Sequence, residues 1–121
     1  MITETKTRTV EPGITVLEIA GRLSLGNSLQ SIETAIQRMI AEGVRKLVVD
    51  LSALSYIDSS GIGMLVTSSG HMEQKGGQMR IAGAQGTVAR ALAVARIERI
   101  VPIDADADSA CGHLAAGSAS A

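Results

Sequence analysis

The sequence predicts an α/β fold: one domain with a mixed, mostly parallel sheet, an antiparallel edge strand and packed helices, in the order β-β-α-β-α-β-α-β-α. Three observations carry this reading. A Thr-rich opening segment alternates with period two, and short apolar runs then alternate with stretches of helical periodicity. At 121 residues the chain is long enough to bury one core, and no linker or internal repeat divides it.

In "ITETKTRTV", Thr3, Thr5, Thr7 and Thr9 share one face, while Ile2, Glu4, Lys6, Arg8 and Val10 share the other. Its polarity suits the edge of a sheet. Pro12-Gly13 is a turn signal, and "ITVLEIA" follows as a second, antiparallel strand. Beyond "GRLSLGNS", Leu29, Ile32, Ile36, Met39 and Ile40 recur at helical spacing. Asn27 or Ser28 is the expected cap of that helix and Gly43 its end. "RKLVVDLSAL" then reads as one strand buried on both faces, running into the segment 56–63. A second helix stripe follows at Ile62, Leu65, Val66, Ser69 and Met72, closed by Gly76-Gly77. "QMRIAG" is a short strand, and Val88, Leu92 and Ala95 mark a third helix. "RIVPID" is a last extended piece, "DADSACGHLAA" a terminal helix, and 117–121 a disordered tail after a domain spanning 1–116.

Composition narrows the function classes. The apolar fraction is 45%, with one Tyr and no Phe or Trp, so the core is built from Leu, Ile, Val, Met and Ala. A net charge of −1 gives no bulk attraction to nucleic acid. The single Cys111 excludes an internal disulfide and reads as a small filler in an Ala-rich segment. "MITETKTRTV" has no secretory pattern, and no apolar stretch approaches the ~18 to 20 residues of a membrane helix. A cytoplasmic protein without membrane insertion is expected.

The chemistry-bearing stretch is "YIDSSGIG", residues 56–63, where a strand gives way to a helix. Loops at the carboxyl ends of parallel strands commonly carry function. Asp58, Ser59 or Ser60 caps the helix, contributing roughly 1 kcal/mol, but one cap does not account for three such residues. A hydrolase elbow needs G-x-S-x-G with an imidazole base, and neither serine has glycines at both offsets. The histidines are His71, read as a polar surface residue of the second helix, and His113 near the chain end. No P-loop is present. "DADAD" lacks the glycine and distal Glu of a calcium loop, so Asp104, Asp106 and Asp108 read as a solvated helix start. No cofactor, metal or catalytic role is expected. Two readings of the serines stay open, a carrier serine holding a prosthetic arm and a kinase target acting as a charge switch. A strand-rich, nearly neutral chain does not suit the acidic helical carriers.

"VVDLSALSYIDSSGIGMLVTSSGHMEQKGGQMRIAG" resembles the central signature of STAS domains, specifically bacterial anti-sigma-factor antagonists. In these a buried strand runs into Asp-Ser-Ser-Gly-Leu-Gly, then a helix, Gly-Gly and a strand. "GITVLEIAGRLSLGNSLQSIETAI" is similar to the family's first half, and "VARALAVARIERIVPIDADADSA" to its third helix and last strand. The resemblance implies a STAS-like fold and a phosphoacceptor at Ser59, with Ser60 the alternative. It implies a partner surface of Asp58, Ser59, Ser60 and Gly61, with Arg22, Ser24 and Asn27 around them. The implied partners are an anti-sigma factor that is also a serine kinase, bound only by the unphosphorylated form, and a protein phosphatase. A scaffold or adaptor role, in a stress-signalling assembly or a lipid-transport complex, is the alternative within the family. Ser24 stands where the family often has Asp, Ala95-Arg96-Ile97 replaces x-Gly-Leu, and Ile62 replaces Leu.

Overall fold

A computed structural model describes residues 3–119, the last three as backbone only. Strand β1 (Glu4–Val10) turns at Pro12-Gly13 into β2 (Ile14–Leu23), and the two pair antiparallel from Glu4↔Ala20 to Val10↔Ile14. Helix α1 (Asn27–Ala41), β3 (Lys46–Asp50), β4 (Leu54–Ile57), α2 (Ser59–Gln74) and β5 (Gln78–Ala82) follow. Then come α3 (Gly86–Val94), a 3-10 turn (Ile97–Arg99), β6 (Ile103–Asp104) and α4 (Ala107–Ala119). The sheet order is β1-β2-β3-β5-β6, with β4 paired to the end of β2. Every pairing except β1–β2 is parallel. The expected mixed sheet with an antiparallel edge strand is what forms.

Side-chain alternation assigns each face of the sheet its own cover. Leu17, Ile19, Leu47, Val49, Met79 and Ile81 pack in the large core with α1, α2 and α3. Ile14, Val16, Val48 and Ala82 face Ala107, Ala110, Cys111 and Leu114 of α4. Small residues on α4 let it lie close on the sheet, and Cys111 is indeed a buried filler there.

Several expectations are corrected. "RKLVVDLSAL" is not one strand. Asp50 Oδ1 accepts the Ser52 N–H at 3.0 Å and the Leu51 carbonyl accepts the Leu54 N–H at 3.0 Å. That local turn breaks the run, so β4 is a separate strand with Ser55 and Tyr56 exposed. Neither Asn27 nor Ser28 caps α1. The chain enters the helix through Gly26, at φ 148, whose carbonyl accepts from Gln30, and Asn27 is already the first helical residue.

The α2 stripe is wider than the sequence implies. Met64 and Ser68 are buried, with the Ser68 hydroxyl donating to Met64 Sδ at 3.4 Å, while Ile62 and Val66 flank the core half-buried. Ala95 lies beyond the end of α3 and is exposed, because Arg96 turns the chain in the left-handed region at φ 55. Asp104 is no solvated helix start. It is buried in β6, where Oδ2 accepts from Arg80 Nε at 2.6 Å and Oδ1 lies 2.7 Å from His113 Nδ1. Asp106 does cap α4, accepting the Ser109 N–H at 2.8 Å. Helix α4 runs past the expected tail boundary at 117; Ile2, at the other end, and Ser120 and Ala121 lie outside the described residues.

Candidate functional site

The site is built where β2 and β4 meet. Gly21 pairs with Leu54, but Arg22 pairs with Tyr56, so the register slips by one residue between them. Gly21 takes φ 96, a torsion open to glycine at the bulge, while its carbonyl accepts the Ser55 hydroxyl at 2.8 Å. The slip sets Arg22 opposite Tyr56, and the guanidinium carbon lies 4.2 Å from the ring centroid. Such a stack contributes roughly 0.5–1 kcal/mol where exposed.

From β4 the chain passes through Asp58 directly into α2. Asp58 is extended (φ −112, ψ −178), and its side chain is the helix cap. Oδ1 accepts the Gly61 N–H at 3.0 Å, and Oδ2 accepts the Leu25 N–H at 3.2 Å. One carboxylate therefore ties the first turn of α2 to the loop between β2 and α1. The Gly61 bond is the largest cause holding this carboxyl below its usual range, with burial opposing it and the Leu25 and Ser60 amides adding to it. The Asp58 N–H donates to the Leu23 carbonyl at 3.2 Å, closing the same junction. Gly61 is what allows the approach: a Cβ there would overlap the Leu23 carbonyl oxygen and stand 2.9 Å from Ile57 Cγ1.

Ser59 is the first residue of α2 and is exposed; Ser60 follows half-buried. Because Asp58 is the cap, neither serine hydroxyl is needed to end the helix. Arg22, Ser24 and Asn27 come together around a hollow of about 440 Å³ that Thr3, Leu25, Gly26 and Ser28 also line. Leu25 joins that hollow to Asp58. Two residues outside the expected set thus adjoin the candidate site: Leu25, 79% exposed, and Tyr56, 41% exposed. Their signal in the sequence is an apolar residue in an otherwise polar loop and the chain's only aromatic beside the serines.

The geometry separates the serines from any imidazole. His71 lies twelve residues along α2 from Ser59, about 18 Å at 1.5 Å per residue. His113 sits on α4, beyond the sheet, against Asp104. Among the described residues no group of three His, Cys, Asp or Glu side chains is placed to hold a metal ion. No helix among them is long and apolar enough to cross a membrane.

The STAS domain model matches residues 5–110. A STAS-domain containing protein of Pseudomonas aeruginosa (strain UCBPP-PA14) is 32% identical over 87 residues, covering 72% of this chain and 84% of the relative. The anti-sigma F factor antagonist of Paenibacillus polymyxa is 30% identical over 94 residues, covering 75% and 78%. Among solved structures, an anti-sigma factor antagonist from Mycobacterium paratuberculosis superposes with a TM-score of 0.81 at 21% identity, over 93% of this chain and 94% of that one. The Bacillus cell fate determinant SpoIIAA in its phosphorylated form gives 0.71 at 19% identity, over 91% and 98%. At such identities these two likenesses speak for the fold.

Proposed function

The chain belongs to the STAS-domain family, and from that premise we propose that it is an anti-sigma-factor antagonist acting by partner switching. With Ser59 unmodified it binds an anti-sigma factor that is also a serine kinase. Phosphorylation of Ser59 ends that binding, and a phosphatase restores it. It acts in the cytoplasm, without turnover of its own and without contacting nucleic acid.

One observation carries the reading: Ser59 is an exposed hydroxyl at the first position of a helix whose cap is supplied by its neighbour. A kinase reaches it without unfolding anything. Ser60, half-buried one residue deeper, is less accessible. The name of the Paenibacillus polymyxa relative supports the role, and SpoIIAA is a protein of this fold solved in a phosphorylated form.

The electrostatics agree. A phosphate adds about −1.5 to −2 charge at pH 7. Free amides and the dipole at a helix N-terminus tolerate an anion there. Against a partner, beside the Asp58 carboxylate, the same charge is repelled and poorly solvated, so the interface fails while the fold survives.

The test compares wild type, Ser59→Ala, Ser59→Asp and protein phosphorylated at Ser59 for binding to the cognate kinase, alongside urea melts. Ser59→Ala should bind and resist modification, Ser59→Asp should bind more weakly, and the phosphoprotein most weakly. A phosphoprotein that binds as tightly as wild type refutes the switch.

A further inference from the structure

Among the described residues four large hydrophobic side chains are left substantially exposed: Leu25, Tyr56, Val94 and Ile100. Leu25 and Tyr56 border the start of α2. The Tyr56 ring is shared with the Arg22 guanidinium stacked on it. Leu25 projects from the loop that borders the hollow with Arg22, Ser24 and Asn27. A single exposed leucine is ordinary. This one differs in that its backbone is pinned by Asp58, the cap of the helix that carries Ser59. The core gains little from a side chain that is 79% exposed, yet one oxygen of a carboxylate is committed to holding it in place.

We propose that Leu25 is an apolar anchor of the partner-binding surface, and that Asp58 is the positioning residue that presents it. The proposal rests on the partner reading above. The occupant is the same kinase, offering an apolar pocket beside its contact with the Ser59 hydroxyl. Tyr56 and Arg22 are of the residue types that dominate binding surfaces, and polar groups form the rim of such surfaces. Here Tyr56 and Arg22 flank Leu25, whose case rests on its exposure and its pinned backbone, and Ser24 and Asn27 supply the rim.

The two Asp58 oxygens divide the work. Oδ1 caps α2 through Gly61 at 3.0 Å, and Oδ2 holds the Leu25 amide at 3.2 Å. A phosphate on Ser59 places a second anion beside Asp58 and repels its carboxylate, straining both of its bonds. The longer bond, to the loop, yields first. Modification therefore acts twice: it adds charge at the interface and it releases the anchor.

Asp58→Asn isolates the second effect. Asparagine keeps one acceptor oxygen for Gly61 and puts an NH2 where Oδ2 was, which cannot accept from Leu25. In amide exchange followed by NMR on the full chain, the Leu25 amide should exchange at least about tenfold faster in Asp58→Asn, the lower end of what losing a bond to a charged acceptor gives. The protein phosphorylated at Ser59 should show the same rise, with Gly61 little changed in both. Unchanged Leu25 exchange overturns the positioning role. Leu25→Ser should bind the kinase at least about thirtyfold more weakly, as truncation of a binding anchor does, with an unaltered melt. Equal binding by wild type and Leu25→Ser overturns the anchor alone. A wild type that does not bind overturns the anchor together with the partner reading.

Discussion

Replacing Gly61 by alanine probes how α2 is seated, and Gly63 supplies its control in the same helix. A Cβ on Gly61 would overlap the Leu23 carbonyl oxygen and come within 2.9 Å of Ile57 Cγ1. Neither neighbour is a free end: Leu23 and Ile57 are paired strand residues, and the Leu23 carbonyl accepts from Asp58. The helix can accommodate a methyl only by lifting off the β2–β4 seam. Overpacking of this kind costs about 1–3 kcal/mol. A Cβ on Gly63 meets no heavy atom within 4 Å. Both variants gain the same helix propensity, about 1 kcal/mol, so it cancels in their difference. Gly63→Ala should therefore stabilise by up to about 1 kcal/mol, and Gly61→Ala should fall about 1–3 kcal/mol below it. Urea midpoints at a common slope measure both. If the two variants melt together, the first turn of α2 is not held against Leu23, and the junction described above is wrong.

Two further outcomes follow from other parts of the molecule. Arg96 holds a left-handed torsion, φ 55, that costs a residue with a Cβ about 1–2 kcal/mol. Glycine removes that cost but is more disordered unfolded, so Arg96→Gly should gain roughly 0.5 kcal/mol in a thermal melt; a loss would refute the strain. Asp104 is pushed up by its burial, but bonds and charge from Arg80 and His113 outweigh that and leave its carboxyl below the usual range. A depressed folded pKa means that its contribution is complete above the unfolded carboxylate range and is lost as pH falls through the folded value. Urea melts from neutral to acid pH should show that loss, and Asp104→Asn should flatten this acid limb while costing roughly 2–3 kcal/mol at neutral pH. An unchanged acid limb would show that another carboxylate sets it.

What the sequence discloses is what repeats along it. The Thr alternation of β1, the stripes of α1 and α2 and the glycines at 43 and 76–77 are local signals, and each marks its element. The motif 58–61 is likewise legible, because a cap is a short-range event. What stays hidden depends on contacts far along the chain. The break after Asp50 is masked because residues 47–51 and 54 are all apolar or buried, and a short turn closed by the Asp50–Ser52 and Leu51–Leu54 bonds separates β3 from β4. Leu25 lies 33 positions from its acceptor Asp58, beyond any periodicity. Asp104 looks like the first of an acidic run because its side-chain partners, Arg80 and His113, come from β5 and α4.

Asp58 links these two kinds of information, and it explains how the proposed switch leaves the fold intact. A phosphate on Ser59 would gain about 0.3–1 kcal/mol from the helix terminus. It would lose roughly 1–2 kcal/mol to the neighbouring carboxylate at surface separations of about 5 Å, where water screens most of the repulsion. The net is a loss of about 1 kcal/mol, small beside the stability of a domain, and Leu23, Ile57 and Leu65, all buried, are untouched by either term. The domain thus tolerates the charge at a modest cost, whereas the bonds of Asp58 are directly exposed to it. Of those, the Gly61 bond is held by the seating of α2 against β2, since the helix cannot shift without opening the core. The Leu25 bond is held only by a loop. In the proposed switch a charge on Ser59 would therefore be read out at the loop between β2 and α1, on the surface where Arg22, Ser24, Leu25 and Asn27 meet.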